Sequence, residues 1–196
     1  MISHCRATVD SSFQMHKTRY AAILLHKVPQ SHGCFQQITE HRYLKVNYES
    51  AMDWKLATDY LRCNLNFHGS QRYDCVLICT HDKDGNTKHI FARLLMMFQY
   101  VLNRDHDPLD LALVQPMDAP TGNSHTIDRD LGFTRLQARP TVQSEFISLR
   151  SVVRGALLVP DFKHAGDFFL VKYVDGDWFL QAKQFNNSRS WYFWLM

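Results

Sequence analysis

YDCVLICT (73–80), HDKDGN (81–86) and HIFARLLMMF (89–98) form the stretch on which the fold turns. Two apolar runs flank a polar loop whose Asp84-Gly85 pair is a strong hairpin signal, so the runs pair as antiparallel strands. Downstream, NRDHDP (103–108) makes another turn and LDLALVQ (109–115) a third strand, stopped by Pro116. Three strands joined by tight turns are an antiparallel meander.

Working outward, residues 118–130 collect Pro120, Gly122, Asn123 and Ser124 and read as loop. LGFTRLQAR (131–139) is a fourth strand, ended by Pro140. SEFISLRSVV (144–153) is ambiguous, because Phe146, Leu149 and Val153 also fit a short helix capped by Ser144. GALLV (155–159) reads as strand. DFFLVKYV (167–174) and WFLQA (178–182) read as a hairpin around Asp175-Gly176-Asp177. Upstream of the meander, residues 41–48 alternate Tyr43, Lys45, Asn47 against Leu44, Val46, Tyr48, a strand pattern. Ser50 with Asp53 resembles a capping box, and Trp54, Ala57, Tyr60 and Leu61 recur at helical spacing up to Asn64 and Gly69. The expected fold is therefore mostly β (α+β), a small antiparallel β-barrel or curled sheet with one amphipathic helix packed on it. Helices do not alternate with strands, which disfavours a parallel α/β architecture. Residues 1–36 read as a poorly ordered extension, 37–183 as the barrel-like domain and 184–196, closing on WYFWLM, as an aromatic tail.

The chain has 196 residues, 45% hydrophobic and 21% charged, enough to bury a core without staples. Five cysteines without framework spacing and no secretory signal fit reduced thiols in the nucleus or cytoplasm. No stretch approaches the ~18–20 apolar residues of a membrane span. A formal charge of +3 permits nucleic-acid contact without requiring it.

Catalytic and metal motifs fare poorly. Cys75, Cys79 and His81 share a strand face with His89 nearby, yet Cys75 and Cys79 stand ~13 Å apart along an extended strand, too far to share one zinc ion. Asp82, Asp84 and Asn86 lack the glycine and closing glutamate of a calcium loop. Neither a Gly-x-Ser-x-Gly elbow nor a phosphate-binding glycine loop occurs. No catalytic residue, metal ligand, cofactor or small-molecule substrate is expected.

The basic set Arg135, Arg139, Arg150 and Arg154 stands out. Arg135 and Arg139 share a strand face with Phe133, and Arg150 and Arg154 share a face as helix or strand. Gathered on one wall, such cations would contact phosphate while Phe133 stacks on a base. Ion pairs with Asp128, Asp130 and Glu145 are the structural alternative.

Four stretches together carry a resemblance: RYDCVLICT, HIFARLLMMF, LALVQPMDAP with DRDLGFTRLQAR, and SEFISLRSVVRGALLVPDFKHAGDFFLVKYVDGDWFLQAK. Their order, over residues 40–183, resembles the C-terminal accessory β-barrel region of fungal transposon-encoded proteins of the CACTA-like, Plavaka and KDZ type. The resemblance implies a small barrel attached in the full-length proteins to a nuclease domain of RNase H type. It further implies mobile-element origin, nuclear residence and an accessory role in binding DNA or protein. It carries no catalytic residues to this chain. The expected function is thus a non-enzymatic module that binds DNA, RNA or chromatin through a basic sheet face. The rivals are a domain that takes up a protein's peptide in a barrel groove or at an edge strand, and a degenerate transposon fragment.

Overall fold

The computed structural model describes residues 6–9, 37–81, 85–101, 107–119, 128 and 130–180. Within them two antiparallel sheets form. The smaller contains β1 (Arg6–Val9), β3 (Tyr43–Glu49), β4 (Leu56–Phe67) and β5 (Ser70–Tyr73), in the order β1-β3-β4-β5. The larger has nine strands along the path β11-β6-β7-β8-β9-β13-β12, with β2 and β10 attached to β7 and β8. Its members are β2 (Gln37–His41), β6 (Cys75–His81), β7 (Thr87–Val101), β8 (Leu109–Asp118), β9 (Thr134–Ala138), β10 (Glu145–Ser148), β11 (Val152–Ala156), β12 (Leu158–Pro160) and β13 (Asp167–Leu170).

The mostly-β, antiparallel expectation holds, and β6-β7-β8 is the meander read from residues 73–115. These strands read as near-continuous apolar runs because both faces are buried. Val76, Ile78, Ala92, Leu94, Ala112 and Val114 pack against Leu44, Val46, Leu61 and Cys63 of the small sheet. On the opposite face, Leu77, Phe91 and Met117 pack with Leu136, Phe168, Leu170 and Trp178. One bulge adjusts the pattern. The register between β7 and β8 shifts between Leu94 and Met96, so Met97, not Met96, rejoins the face of Leu94 opposite Ala112. Pro116 lies inside β8 instead of ending it. It falls between Val114, where pairing with β10 ends, and Met117, where pairing with β9 begins, a break that tolerates a missing N–H.

The larger sheet curls. β11 and β12 sit at opposite ends of its seven-strand path, yet only Leu157 separates them in the chain. Laid flat, those strands would be ~29 Å apart at ~4.8 Å per strand, a gap no single residue spans. No ladder joins β11 to β12, so the sheet is curled but not closed into a barrel. Arg42 and Asp74 are single-residue corners of another kind. There the chain passes between the two sheets, from β2 to β3 and from β5 to β6.

The helix expected from Ser50 is a correction. Its cap is real: the Ser50 hydroxyl accepts from the amides of Met52 and Asp53. Propagation fails at Trp54, whose φ of 59° ends the turn, and the chain runs on as β4, paired with β3 from Leu56 to Arg62. Trp54 and Tyr60, expected on a buried helical face, are exposed. Two further segments differ from expectation. Residues 144–153 split into β10, a 3-10 turn (Leu149–Ser151) and the start of β11. Residues 178–180 belong to a short helical turn, 176–180, and not to a hairpin strand. Asp175 caps that turn by accepting from the Trp178 amide at 2.6 Å. Trp178, 1% exposed, packs in the cluster of Leu77, Phe91 and Leu136 and donates its indole N–H to the Val171 carbonyl at 2.7 Å. Within the expected N-terminal extension, Arg6–Val9 adds an edge strand against β3. The aromatic tail lies outside the described residues.

The turn between β4 and β5 has φ of 50° at His68 and 83° at Gly69. Two successive positive φ values define the primed hairpin turn that favours Asn-Gly. His68→Asn is therefore expected to stabilise the chain by about 0.5 kcal/mol, read as a raised urea midpoint with unchanged slope.

Candidate nucleic-acid interface

The four arginines do not converge. Arg154 on β11 is buried against Asp59 and Asp175, whereas Arg135 on β9 is held by a separate set of carboxylates, Asp128, Asp161 and Asp167. Three of the four are also engaged by carboxylates, a correction to the expected basic wall.

Arg135 is held in an acidic nest. Its Nε and Nη2 donate to Asp128 at 2.7 and 3.3 Å, and its Nη1 donates to Asp161 and to Asp167 at 3.0 Å. Its guanidinium also lies over the Phe169 ring, 4.5 Å from the centroid. The exposed ring of Phe133 sits 5.4 Å from that of Phe169. Arg139 donates Nε and Nη2 to Asp118 at 2.6 and 2.9 Å, and Nη1 to Glu145 at 3.0 Å.

Arg154 is only 3% exposed. It donates Nε to Asp59 at 3.3 Å and Nη2 to Tyr48 at 3.0 Å and Asp175 at 2.9 Å. Its plane stands 4.3 Å from the Tyr48 centroid and 5.3 Å from that of Trp178. It thereby ties both sheets to the helical turn at 176–180. Arg150 alone of the four is exposed without an ion-pair partner among the described residues.

One group approaches metal-ligand geometry among the described residues: Asp161, His164 and Asp167, with ligand atoms within 4.8 Å of one another. The 161–164–167 spacing is not among the metal motifs legible in the sequence. The cation that the two carboxylates serve is the Arg135 guanidinium. Hydrogen bonds from His164, Arg135 and the Lys163 amide hold the Asp161 carboxyl well below the usual carboxylate range. Elsewhere, burial pushes the Cys63 and Cys75 thiols up, so neither is a ready thiolate nucleophile. Burial lowers the pKa of His89, opposite Cys79, and favours the neutral ring. No helix among the described residues is long and apolar enough to cross a membrane.

A different sheet face brings cations and rings together. The inner face of the small sheet carries Leu44, Val46, Leu61 and Cys63, so period 2 turns Tyr43, Lys45, Asn47, Tyr60 and Arg62 outward. Register sets Tyr43 opposite Arg62 and Lys45 opposite Tyr60. Arg62 lies 5.8 Å from the Tyr43 centroid, and the Lys45 ammonium 5.9 Å from that of Tyr60. The Tyr43 and Tyr60 rings stack across the strands at 5.8 Å and 20°. Toward the β4–β5 hairpin, Arg62 and Arg72 flank Phe67, at 4.7 and 5.0 Å from its centroid. Arg72 is paired with Asp74 at 3.0 Å. Among the described residues, Lys45 and Arg62 have no carboxylate within ion-pair distance. The helical spacing of Trp54, Ala57, Tyr60 and Leu61 masks this face in the sequence. Its signal in the sequence is the period-2 spacing of Tyr43 with Lys45 and of Tyr60 with Arg62.

No family model, no curated protein and no solved structure matches the chain.

Proposed function

We propose that the chain is a non-enzymatic module that binds single-stranded nucleic acid on the outer face of its four-stranded sheet. One observation carries this: the paired cations and rings of Tyr43–Arg62 and Lys45–Tyr60, in which neither cation is neutralised by a described carboxylate. Single-stranded nucleic acid offers what such a face takes up, flat bases for the rings and phosphates for the cations. Arg135, Arg139 and Arg154 are spent on internal carboxylates and have no part in it. Phe133 is also excluded, because its neighbouring cation is Arg135. The mobile-element origin implied by the segment resemblance accords with a nucleic-acid ligand and belongs to the same proposal.

Fluorescence anisotropy with mixed-sequence single-stranded DNA and RNA oligonucleotides tests it. Log affinity is expected to fall with log salt at about −0.7 per phosphate neutralised. Tyr60→Ala is expected to cost about 1–3 kcal/mol of binding. Arg62→Ala is expected to flatten the salt slope by about one phosphate. Arg139→Ala, on the other sheet, should leave binding unchanged. Absence of binding at low salt, or equal affinity of parent and Tyr60→Ala chains, refutes the proposal.

A further inference from the structure

On the outer face of the small sheet, Tyr60 has a covered side and an open one. Lys45 lies directly opposite it on β3, which puts Tyr43 and Asn47 on its two diagonals, each about 7–8 Å away. Tyr43 stacks against it. Toward Asn47 no ring meets it among the described residues, and Tyr60 is 55% exposed. Along that side the register continues with Asn47 opposite Thr58 and Glu49 opposite Leu56. Strand alternation turns all four to the same face as Tyr60, and Glu49 and Leu56 are exposed. A slot results. Tyr60 and Leu56, about 13 Å apart along β4, stand on either side of the Asn47–Thr58 pair.

The polar groups of this slot have a definite order. The Thr58 hydroxyl donates to Oδ1 of Asn47 at 2.7 Å. That bond fixes the amide plane and engages its oxygen, so Asn47 offers its two Nδ2 hydrogens as donors. Glu49 follows about 7 Å along β3. It has no cation within ion-pair distance among the described residues and offers a carboxylate that accepts two parallel bonds. A flat group resting on Tyr60 therefore meets a donor and then a two-oxygen acceptor. Guanine has the complementary edge: O6 accepts, and N1–H with the 2-amino group forms a two-donor fork. Adenine, cytosine and uracil each set a single donor group against the carboxylate.

We propose that this slot takes a guanine base, stacked on the open side of Tyr60, with Asn47 donating to O6 and Glu49 accepting from N1–H and the 2-amino group. The inference rests on the single-strand reading of the same face and adds base selectivity to it. Lys45, whose ammonium lies 5.9 Å from the Tyr60 centroid, serves the adjoining phosphate. The Glu49 charge repels phosphate and keeps the ligand's backbone on the Lys45 side.

The test measures anisotropy of the full chain with labelled oligothymidine strands carrying one central guanine, adenine or hypoxanthine. The guanine strand is expected to bind about tenfold tighter than the adenine strand. Hypoxanthine, which keeps O6 and N1–H but lacks the 2-amino group, should fall between them. Glu49→Gln, an exposed and nearly isosteric change, should cut the guanine preference to about twofold without weakening the adenine strand. Asn47→Ala should also lower the preference while leaving the salt slope unchanged, since no cation is lost. Equal affinity for the guanine and adenine strands overturns the inference and leaves the single-strand reading standing. An undiminished guanine preference in Glu49→Gln does the same. Absence of binding to every strand at low salt overturns both.

Discussion

Arg154→Met is expected to destabilise the fold by about 3–5 kcal/mol, the range for breaking a buried ion pair from one side. The loss should appear as a lower urea midpoint with a similar slope. The guanidinium serves Asp59 on β4, Tyr48 on β3 and Asp175 at the cap of the 176–180 turn. The Asp59 carboxylate also receives the Gly155 amide at 2.9 Å, so removing the cation leaves it desolvated and only half satisfied. The network is already imperfect, since Nη1 of Arg154 is buried without a partner. Adding Asp59→Asn removes the stranded charge while retaining an acceptor for Gly155. The double variant should therefore recover part of the loss, a coupling that a double-mutant cycle reads directly. A cost below about 1 kcal/mol for Arg154→Met would show that the sheets are joined by apolar packing alone.

The second large effect is expected at Arg135. Arg135→Leu should cost about 3 kcal/mol at neutral pH, the lower end for a broken buried pair, because Asp161 and Asp167 keep an edge to solvent. Its pH dependence identifies the cause. Asp161 has a folded-state pKa below its unfolded value of about 3.9. Its contribution is therefore present above that value and is lost as pH falls through the folded one. Without the guanidinium, the Asp161 carboxyl loses one of the hydrogen bonds that hold its pKa down and binds a proton more readily. The parent should lose stability on acidification more steeply than the variant, so their difference should narrow between pH 7 and about pH 3.5. Urea unfolding at the two pH values measures it. A pH-independent difference would assign the cost to lost packing on Phe169.

Which parts of the structure were legible follows from range. β6, β7 and β8 are buried on both faces, so their apolar runs survive any uncertainty about orientation, and the Asp-Gly turn fixes their partnership. The 50–67 segment departs from its helical pattern because its first signal, the Ser50 cap, is local and true, while the decisive one is distant. Seven residues of β3 offer a ladder to Leu56–Arg62, and tertiary pairing overrides helical periodicity. The arginine face failed for the same reason. Parity shows that Arg135 and Arg139 point the same way but not what they meet. Arg135 finds Asp161 in the loop after β12 and Asp167 at the start of β13, and Arg154 finds Asp59 across the sheet interface, 95 residues away in sequence. The Tyr43–Arg62 and Lys45–Tyr60 pairs became readable only once β4 was known to be a strand.

The bend at Leu157 also shapes the order of assembly. Since β11 and β12 are one stretch of chain, neither margin of the large sheet is complete until β6, far upstream, and β13, downstream, are both in place. Nucleation at the local β6–β7 hairpin is rapid by comparison, so the seam is a late event on the folding route. Until it sets, Leu77, Phe91 and Met117, against whose cluster Ala156 and Leu158 pack, lack their final cover, and this interval is when newly made chains are most exposed to misassembly.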